Sequence, residues 1–245
     1  MSASLRAFAE AVPYIAGQVR RAVWERGRCD LVLSGGRTPR VVYEQLARLE
    51  PGASAPWERV QWFWGDERFV PRDHRSSNYR LAREALLERL GPPAENVFPV
   101  PTEATSVEAA AEEYERTLRG LFPGLAFPAF DLVLLGLGAD GHTASLFPGG
   151  PECEERSRWC VASRAPPGAA VQDRVTLTLP VLNAARAVAF LVTGEEKRDA
   201  LRALLNDAQQ PAGGAALPAR RVQPAGELMI FTDLRAALAA DRTAR

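Results

Sequence analysis

The chain has 245 residues, of which 47% are hydrophobic and 24% are charged, and this composition predicts one α/β domain over residues 1–245. Thirty basic and thirty acidic side chains give a formal charge of zero, so no field across the whole sequence attracts nucleic acid or an anionic membrane. An anionic partner must therefore be met by a local cluster of charge.

Cysteine usage and hydropathy indicate a cytoplasmic protein. Cys29, Cys153 and Cys160 form no C-x-x-C pair and have no neighbouring histidine, which predicts free thiols in a reducing compartment and no metal site. Residues 1–26 carry charged side chains throughout, so they contain no signal-peptide core, and no apolar run reaches the length of a membrane span. We therefore expect no catalytic metal, no membrane association and no nucleic-acid partner.

The first elements in chain order are a helix and a short strand. Helical spacing of apolar residues predicts a helix over residues 5–26, with Pro13 either starting or kinking its main part and Gly27 ending it. An apolar strand over 30–33 then gives way to S-G-G-R-T-P, followed by a predicted helix over 40–49. Backbone N–H groups at such a turn can cradle a phosphate, although glycine and proline also punctuate ordinary βα turns.

The next predicted strand, over residues 60–65, is followed directly by three charged residues. Open α/β sheets bind ligands at the carboxyl ends of their strands, so Asp66 and Arg68 are candidate ligand-binding residues, with a solvated strand end as the alternative. A polar loop then runs to Asn78. Ser77 or Asn78 is predicted to cap a helix that reaches residue 90. His74 lies inside the polar loop, where a solvated side chain is expected.

A strand over 96–100 precedes a helix that is expected to end near residue 121. Thr105 and Glu108 have the spacing of a capping box for that helix. The apolar run at 131–135 lacks polar alternation, which predicts a strand buried on both faces.

The stretch after this buried strand contains His142, one of only two histidines in the chain. Its position at the end of a central strand favours a functional role, while the alternative is a turn residue that hydrogen-bonds to Asp140. The letters G-L-G-A-D-G also match the dinucleotide fingerprint, but Pro148 leaves too little room for the crossover helix that the fingerprint should open. The sequence therefore predicts no nicotinamide cofactor.

Three further strands are predicted over residues 156–164, 174–179 and 187–192, with a short helix over 181–185. Polar and apolar residues alternate in the strand over 174–179, which predicts that one of its faces is buried, and Arg174 lies at its start. The remaining predictions are a loop over 211–221, a strand over 227–232 and a helix over 233–240.

Lys197 lies at the start of the helix predicted after the strand over 187–192, and it is the only lysine among the thirty basic residues. A basic residue in the first turn of a helix opposes the helix dipole unless an anion lies between them. An anion site and a chance feature of an arginine-rich composition are both compatible with the count.

The strand-end motifs together carry a family resemblance. They read S-G-G-R-T-P at 34–39, W-G-D-E-R-F-V-P-R-D-H-R-S-S-N at 64–78, G-L-G-A-D-G-H-T-A-S-L-F-P-G at 136–149 and G-E-E-K at 194–197. In this order and spacing, over about residues 30–205, the chain resembles the 6-phosphogluconolactonase family of the oxidative pentose phosphate pathway. The resemblance implies a single-domain, Rossmann-like α/β fold without a dinucleotide, similar to glucosamine-6-phosphate deaminase and ribose-5-phosphate isomerase. Such a fold has a mostly parallel sheet with helices on both faces.

The resemblance also implies the roles of individual residues. His142 would face the lactone carbonyl, and Arg37 departs from the small residue usual in the glycine turn, so its side chain either reaches the phosphate or points to solvent. The residues that the resemblance assigns to the sugar phosphate are Ser34, Gly35, Gly36, Thr38, Asp66, Arg68, Arg174 and Lys197.

The chemistry of a lactone fits this set. A lactone is an activated ester that needs no metal, and histidine ordinarily titrates near neutral pH, so it can take a proton from water. We expect His142 to act as general base on a water that attacks C1, with Asp140 or a backbone carbonyl fixing its tautomer. Backbone N–H groups or an arginine would hold the oxyanion. The expected partner is a small sugar phosphate, and the expected state is a monomer or a weak homo-oligomer.

Two other functions share part of this pattern. An amino-sugar-phosphate deaminase follows its histidine with an Asn-Glu pair, whereas this chain has Leu146 and Phe147 there. A sugar-phosphate sensor would keep the phosphate residues and be joined to a DNA-binding segment, but no basic helix-turn-helix stretch is present. Both comparisons favour hydrolysis.

Overall fold

The computed structural model describes residues 3–50, 55–205 and 217–234. Strands in these ranges are β1 (Ser4–Ala7), β2 (Cys29–Leu33), β3 (Val60–Trp64), β4 (Asp66–Arg68), β5 (Val97–Phe98), β6 (Leu132–Leu135), β7 (Cys160–Arg164), β8 (Asp173–Leu177), β9 (Ala187–Val192) and β10 (Glu227–Thr232). Helices are α1 (Ala11–Arg26), α2 (Arg37–Leu46), α3 (Asn78–Ala82), α4 (Glu88–Leu90), α5 (Val107–Leu121), α6 (Leu179–Ala184) and α7 (Arg198–Leu205), and a π-helical turn (Arg83–Leu87) joins α3 to α4.

Seven strands form the main sheet in the order β1-β10-β9-β6-β2-β3-β5, and all of their pairings are parallel. Every residue of β2, β6 and β9 is buried, so both faces of the central strands are covered, as the unbroken apolar sequences of β6 and β9 predict. The chain leaves β2 towards β3 on one side and leaves β6 towards β9 on the other. The crevice beyond β2 and β6 is therefore the switch point, where sheets of this kind bind ligands.

The second sheet was not predicted. It contains β4, β8 and β7, all antiparallel, and it pairs Asp66 with Thr176 and Arg68 with Arg174. Residues 66–68, expected to be charged residues between a strand and a polar loop, form a strand of their own by pairing with β8. The sequence does not show this strand, because the pairing partners lie more than 100 residues further along the chain. The predicted alternation of β8 is also wrong, since its last three residues are all buried.

The amino-terminal helix is shorter than predicted. Residues 4–7 form β1, which pairs with β10 at the edge of the main sheet, and the helix begins at Ala11. Pro13 therefore lies in the first turn of α1 and starts the helix rather than kinking it. Gly27 ends the helix in the left-handed conformation, at φ 78°, as predicted.

Helix caps follow the sequence in one case and differ by one residue in another. Ser77 caps α3, because its hydroxyl accepts a hydrogen bond from the Arg80 N–H at 3.1 Å. The expected cap of α5 at Thr105 is wrong, since the Ser106 hydroxyl accepts from the Ala109 N–H at 3.2 Å. The local backbone geometry decides which residue caps a helix. Where two hydroxyl residues are adjacent in the sequence, the sequence alone does not show which of them is the cap.

Several element bounds also differ from the predictions. Helix α2 starts at residue 37 instead of 40, β5 has two residues, and β7 starts at residue 160 instead of 156. His74 is half-buried rather than solvated, and its Nδ1 accepts a hydrogen bond from the Ser76 N–H at 3.1 Å. Residues 235–240 of the predicted helix over 233–240 and most of the loop over 211–221 lie outside the described residues, while residues 233–234 are not helical. Within the described ranges, no helix has the length and apolar character to cross a bilayer.

Candidate active site

A cavity of about 620 Å³ opens at the carboxyl ends of the parallel strands, at the switch point. The turns that follow β2, β3, β6 and β9 form its walls. Two predicted site residues, Asp140 and Arg174, lie outside the cavity lining. The predicted site residues that line it are Ser34, Gly35, Gly36, Thr38, Asp66, Arg68, His142 and Lys197.

The glycine turn after β2 presents the start of α2 to the cavity. Gly36 has φ 106°, a conformation that favours glycine, and no side chain caps the first N–H groups of the helix. Tyr43 fixes the turn from below, because its hydroxyl accepts from the Ser34 N–H at 2.9 Å and donates to the Ser34 carbonyl at 2.8 Å. The uncapped N–H groups and the helix dipole make this wall suited to an anion.

Lys197 adds a positive charge to the same end of the cavity. It is half-buried and follows Gly194 in a short 3₁₀ turn, and no ion pair of its side chain is found within the described ranges. The Thr38 and Thr193 hydroxyls lie 2.6 Å apart, so the turns after β2 and β9 are in direct contact. Arg37 instead points to solvent, with its side chain 98% exposed and 3.9 Å from Glu196.

His142 and Asp140 form a close pair at the carboxyl end of β6. The histidine Nδ1 lies 2.6 Å from Asp140 Oδ1, and the same oxygen accepts the His142 backbone N–H at 3.1 Å. Burial raises the pKa of the Asp140 carboxyl, but the charge of His142 and the hydrogen bonds outweigh it and hold that pKa below its usual value. Because Asp140 occupies Nδ1, Nε2 is the ring nitrogen available for chemistry in the cavity.

Gly138 makes room for this pair. A Cβ atom at Gly138 would lie 2.1 Å from His142 Nδ1 and 2.4 Å from Asp140 Oδ1. The Gly138 N–H also donates to the His142 carbonyl at 2.8 Å. The stretch after His142 forms turns and one isolated bridge rather than a helix, so the glycines of this motif accommodate a His–Asp pair where a dinucleotide fold would accommodate a pyrophosphate.

Arg68 and Arg174 lie directly opposite each other on β4 and β8. Burial lowers the pKa of Arg174, and the neighbouring charge of Arg68 lowers it further. Arg68 Nη1 donates to the Ser76 carbonyl at 2.7 Å, while its buried Nε has no hydrogen-bond partner in the structure. Like charges directly opposite each other in a cross-strand pair are unfavourable, and the nearby carboxylates of Asp66 and Glu67 offset part of this repulsion at Arg174.

Asn78 and Ser145 contact Asp66, and neither was predicted to be a site residue. Asn78 Nδ2 donates to the Asp66 carbonyl at 2.9 Å and to Oδ1 at 3.3 Å, and the Ser145 hydroxyl donates to Asp66 Oδ2 at 2.6 Å. A Cβ at Gly35 would lie 1.8 Å from Asn78 Oδ1, so Asn78 packs tightly against the glycine turn. Both residues belong to the motifs that carry the family resemblance, and that is the sequence signal that could have identified them as site residues.

No group of three or more histidine, cysteine, aspartate or glutamate residues among those described is arranged to hold a metal ion.

Comparison with known proteins gives one consistent result. The family model for glucosamine-6-phosphate isomerases/6-phosphogluconolactonase matches residues 4–231. A 6-phosphogluconolactonase from Synechocystis is 43% identical over 221 residues, covering 89% of this chain and 88% of its own length. The rat 6-phosphogluconolactonase is 46% identical over 222 residues, with coverage of 86% and 80%. The crystal structure of 6-phosphogluconolactonase from Thermotoga maritima superposes with a TM-score of 0.80 at 34% identity and covers 94% of this chain and 98% of that one.

Proposed function

The chain belongs to the glucosamine-6-phosphate isomerase/6-phosphogluconolactonase family, and on that premise we propose that it hydrolyses 6-phospho-D-glucono-1,5-lactone to 6-phospho-D-gluconate with His142 as general base. One observation carries the assignment of roles within the site. His142, whose Nδ1 lies 2.6 Å from Asp140, shares one cavity with an uncapped helix start and with Lys197.

The proposed reaction begins at His142 Nε2. This nitrogen takes a proton from water as the water oxygen forms a bond to C1, and Asp140 stabilises the resulting imidazolium through Nδ1. When the tetrahedral intermediate collapses, the bond between C1 and the ring oxygen breaks, and the imidazolium returns its proton to that oxygen. The products are a C5 hydroxyl and a carboxylic acid, which releases a proton at neutral pH.

The substrate phosphate is assigned to the end of the cavity formed by the glycine turn and Lys197. A sugar phosphate carries roughly 1.5 to 2 negative charges at pH 7, and backbone donors with a lysine match that charge locally in a chain of zero net charge. Arg68, with Arg174 behind it, adds positive charge from the wall formed by β4. With the phosphate held there, the lactone ring lies in the same cavity as the His142 ring.

We further assign the protein a cytoplasmic location, a small-molecule partner, one functional unit over residues 1–245, and a monomeric or weakly associating state. Buried free thiols at Cys29, Cys153 and Cys160 support a reducing compartment.

The experiment that tests the function adds the protein to freshly prepared 6-phosphogluconolactone and follows acid release against the spontaneous rate. The expected result is acceleration in proportion to protein concentration. Glucosamine 6-phosphate and ribose 5-phosphate serve as counter-substrates, and neither ammonia nor a ketose is expected, because the buried side chains of Leu146 and Phe147 supply no acid or base there. Absence of lactone hydrolysis, or release of ammonia at a comparable rate, would contradict the proposal.

Lys197→Ala is expected to raise KM for the lactone by about 10 to 100-fold and to leave kcat within a few-fold. The lysine contributes a charge-assisted contact to a phosphate that is bound alike in the ground and transition states. Steady-state kinetics measure both constants. Arg59→Ala is the matched control, since it also removes one positive charge, but from an exposed side chain that lies just before the amino end of β3, away from the cavity. A kcat loss that exceeds the KM change would place Lys197 in the chemical step instead.

A further inference from the structure

Asp66 is a buried carboxylate in the wall of the proposed lactone site. Its side chain belongs to a residue that is 7% exposed, and it lines the same cavity as His142 and Lys197. No ion pair within the described ranges includes this carboxylate. A negative charge is unfavourable beside a phosphate, so Asp66 is suited to a part of the substrate that donates hydrogen bonds.

The two oxygens of Asp66 are held in fixed positions. Oδ2 accepts from the Ser145 hydroxyl at 2.6 Å, and Oδ1 accepts from Asn78 Nδ2 at 3.3 Å. Ser145 and Asn78 are each 1% exposed, and Ser145 is itself fixed by the second sheet, because the Ser163 hydroxyl donates to its carbonyl at 2.6 Å. An ionised carboxylate can accept about four hydrogen bonds, so about half of the acceptor capacity of Asp66 is left for a ligand.

Ser34 lies beside Asp66 at the neighbouring strand end. The Gly65 N–H donates to the Leu33 carbonyl at 2.9 Å, which brings the residues after β2 and β3 together. Ser34 is 4% exposed and lines the cavity, yet its hydroxyl has no hydrogen-bond partner among the described residues. A fixed carboxylate next to an unpaired buried hydroxyl suits a ligand with several hydroxyl groups.

We propose that Asp66, oriented by Ser145 and Asn78, binds a secondary hydroxyl group of the lactone ring and makes the enzyme select hydroxylated over deoxy lactones. Ser145 and Asn78 are positioning residues in this assignment, and Ser34 is a second hydroxyl contact. The cavity then has a cationic end at Lys197 for the phosphate and an anionic wall at Asp66 for the ring hydroxyls. This inference rests on the proposed lactonase function.

The test compares 6-phosphogluconolactone with its 2-deoxy, 3-deoxy and 4-deoxy analogues. The wild-type enzyme is expected to prefer the parent over at least one analogue by about 10 to 100-fold in kcat/KM, because that analogue leaves part of the acceptor capacity of a buried carboxylate unfilled. Asp66→Asn is expected to lower kcat/KM for the parent by a similar factor and to change kcat/KM for that analogue by less than about threefold. The ratio of kcat/KM for the parent to kcat/KM for the analogue therefore falls towards one. It is a ratio measured on one protein sample, so a reduced folded fraction does not alter it.

Two further variants complete the design. Ser145→Ala is expected to lower the same preference by a smaller factor, whereas Ser157→Ala, which removes an exposed hydroxyl outside the cavity, should leave it unchanged. An equal loss of rate on parent and analogue in Asp66→Asn, or a wild-type enzyme that does not discriminate against any of the three analogues, would overturn the inference. Failure of the lactonase proposal is a separate outcome, in which the wild-type protein does not accelerate hydrolysis of the parent lactone.

Discussion

His142→Asn is expected to lower kcat for lactone hydrolysis by about 10² to 10⁴ and to leave affinity for the product 6-phosphogluconate almost unchanged. Asparagine keeps a hydrogen-bonding group near Asp140 but cannot take a proton from water. The glycine turn and Lys197 are intact in this variant, so the phosphate is still bound. Rates must be compared after the spontaneous hydrolysis has been subtracted, and product affinity can be measured by calorimetry.

The control for this variant is His74→Asn. His74 is the other histidine of the chain, is half-buried, and lies outside the cavity lining, so its substitution tests the loss of an imidazole without touching the site. If His142 were only a turn residue, His142→Asn would lower thermal stability while kcat per folded molecule stayed normal. That result would remove His142 from the chemical step.

Gly138→Ala is expected to lower kcat by about 10² to 10⁴ as well, although the substitution adds a single methyl group. The new Cβ would lie 2.1 Å from His142 Nδ1 and 2.4 Å from Asp140 Oδ1, so the pair has to move. Displacement removes the contact that sets the tautomer of the histidine and aims Nε2 at the substrate. Kinetics should show the loss in kcat, while product affinity and the circular dichroism spectrum remain close to those of the wild-type protein.

Gly120→Ala provides the matched control for Gly138→Ala. Gly120 lies on α5, where an added Cβ meets no atom within 4 Å, and it has ordinary helical conformation. We expect wild-type activity and an equal or higher melting temperature, because alanine favours helix over glycine. Activity in Gly138→Ala equal to that of this control would mean that the 2.6 Å His–Asp contact is not needed for catalysis.

The sequence by itself determined the central strands and the turns at their ends. Strands β2, β3, β6 and β9 were predicted within about one residue, since a mostly apolar run with a glycine within two residues of its end is a local signal. The close approach of His142 and Asp140 was also within reach of sequence reasoning, because the two residues are separated by a single glycine in a tight turn. Lys197 could be singled out because it is the one lysine in the sequence and because it follows a buried strand.

Only the tertiary structure decided how the other wall of the cavity is built. Asp66 meets Ser145 across 79 residues of chain, and Arg68 lies opposite Arg174 through the second sheet. β4 consists of three charged residues, so it has no alternation of polar and apolar residues that would predict a strand. The residues with which it pairs are distant in the sequence. For the same reason β1 was taken for the start of a helix, since the strand that it pairs with is β10, more than 200 residues further along the chain. Local patterns thus fixed where the strands end, while long-range pairing fixed which polar side chains meet there.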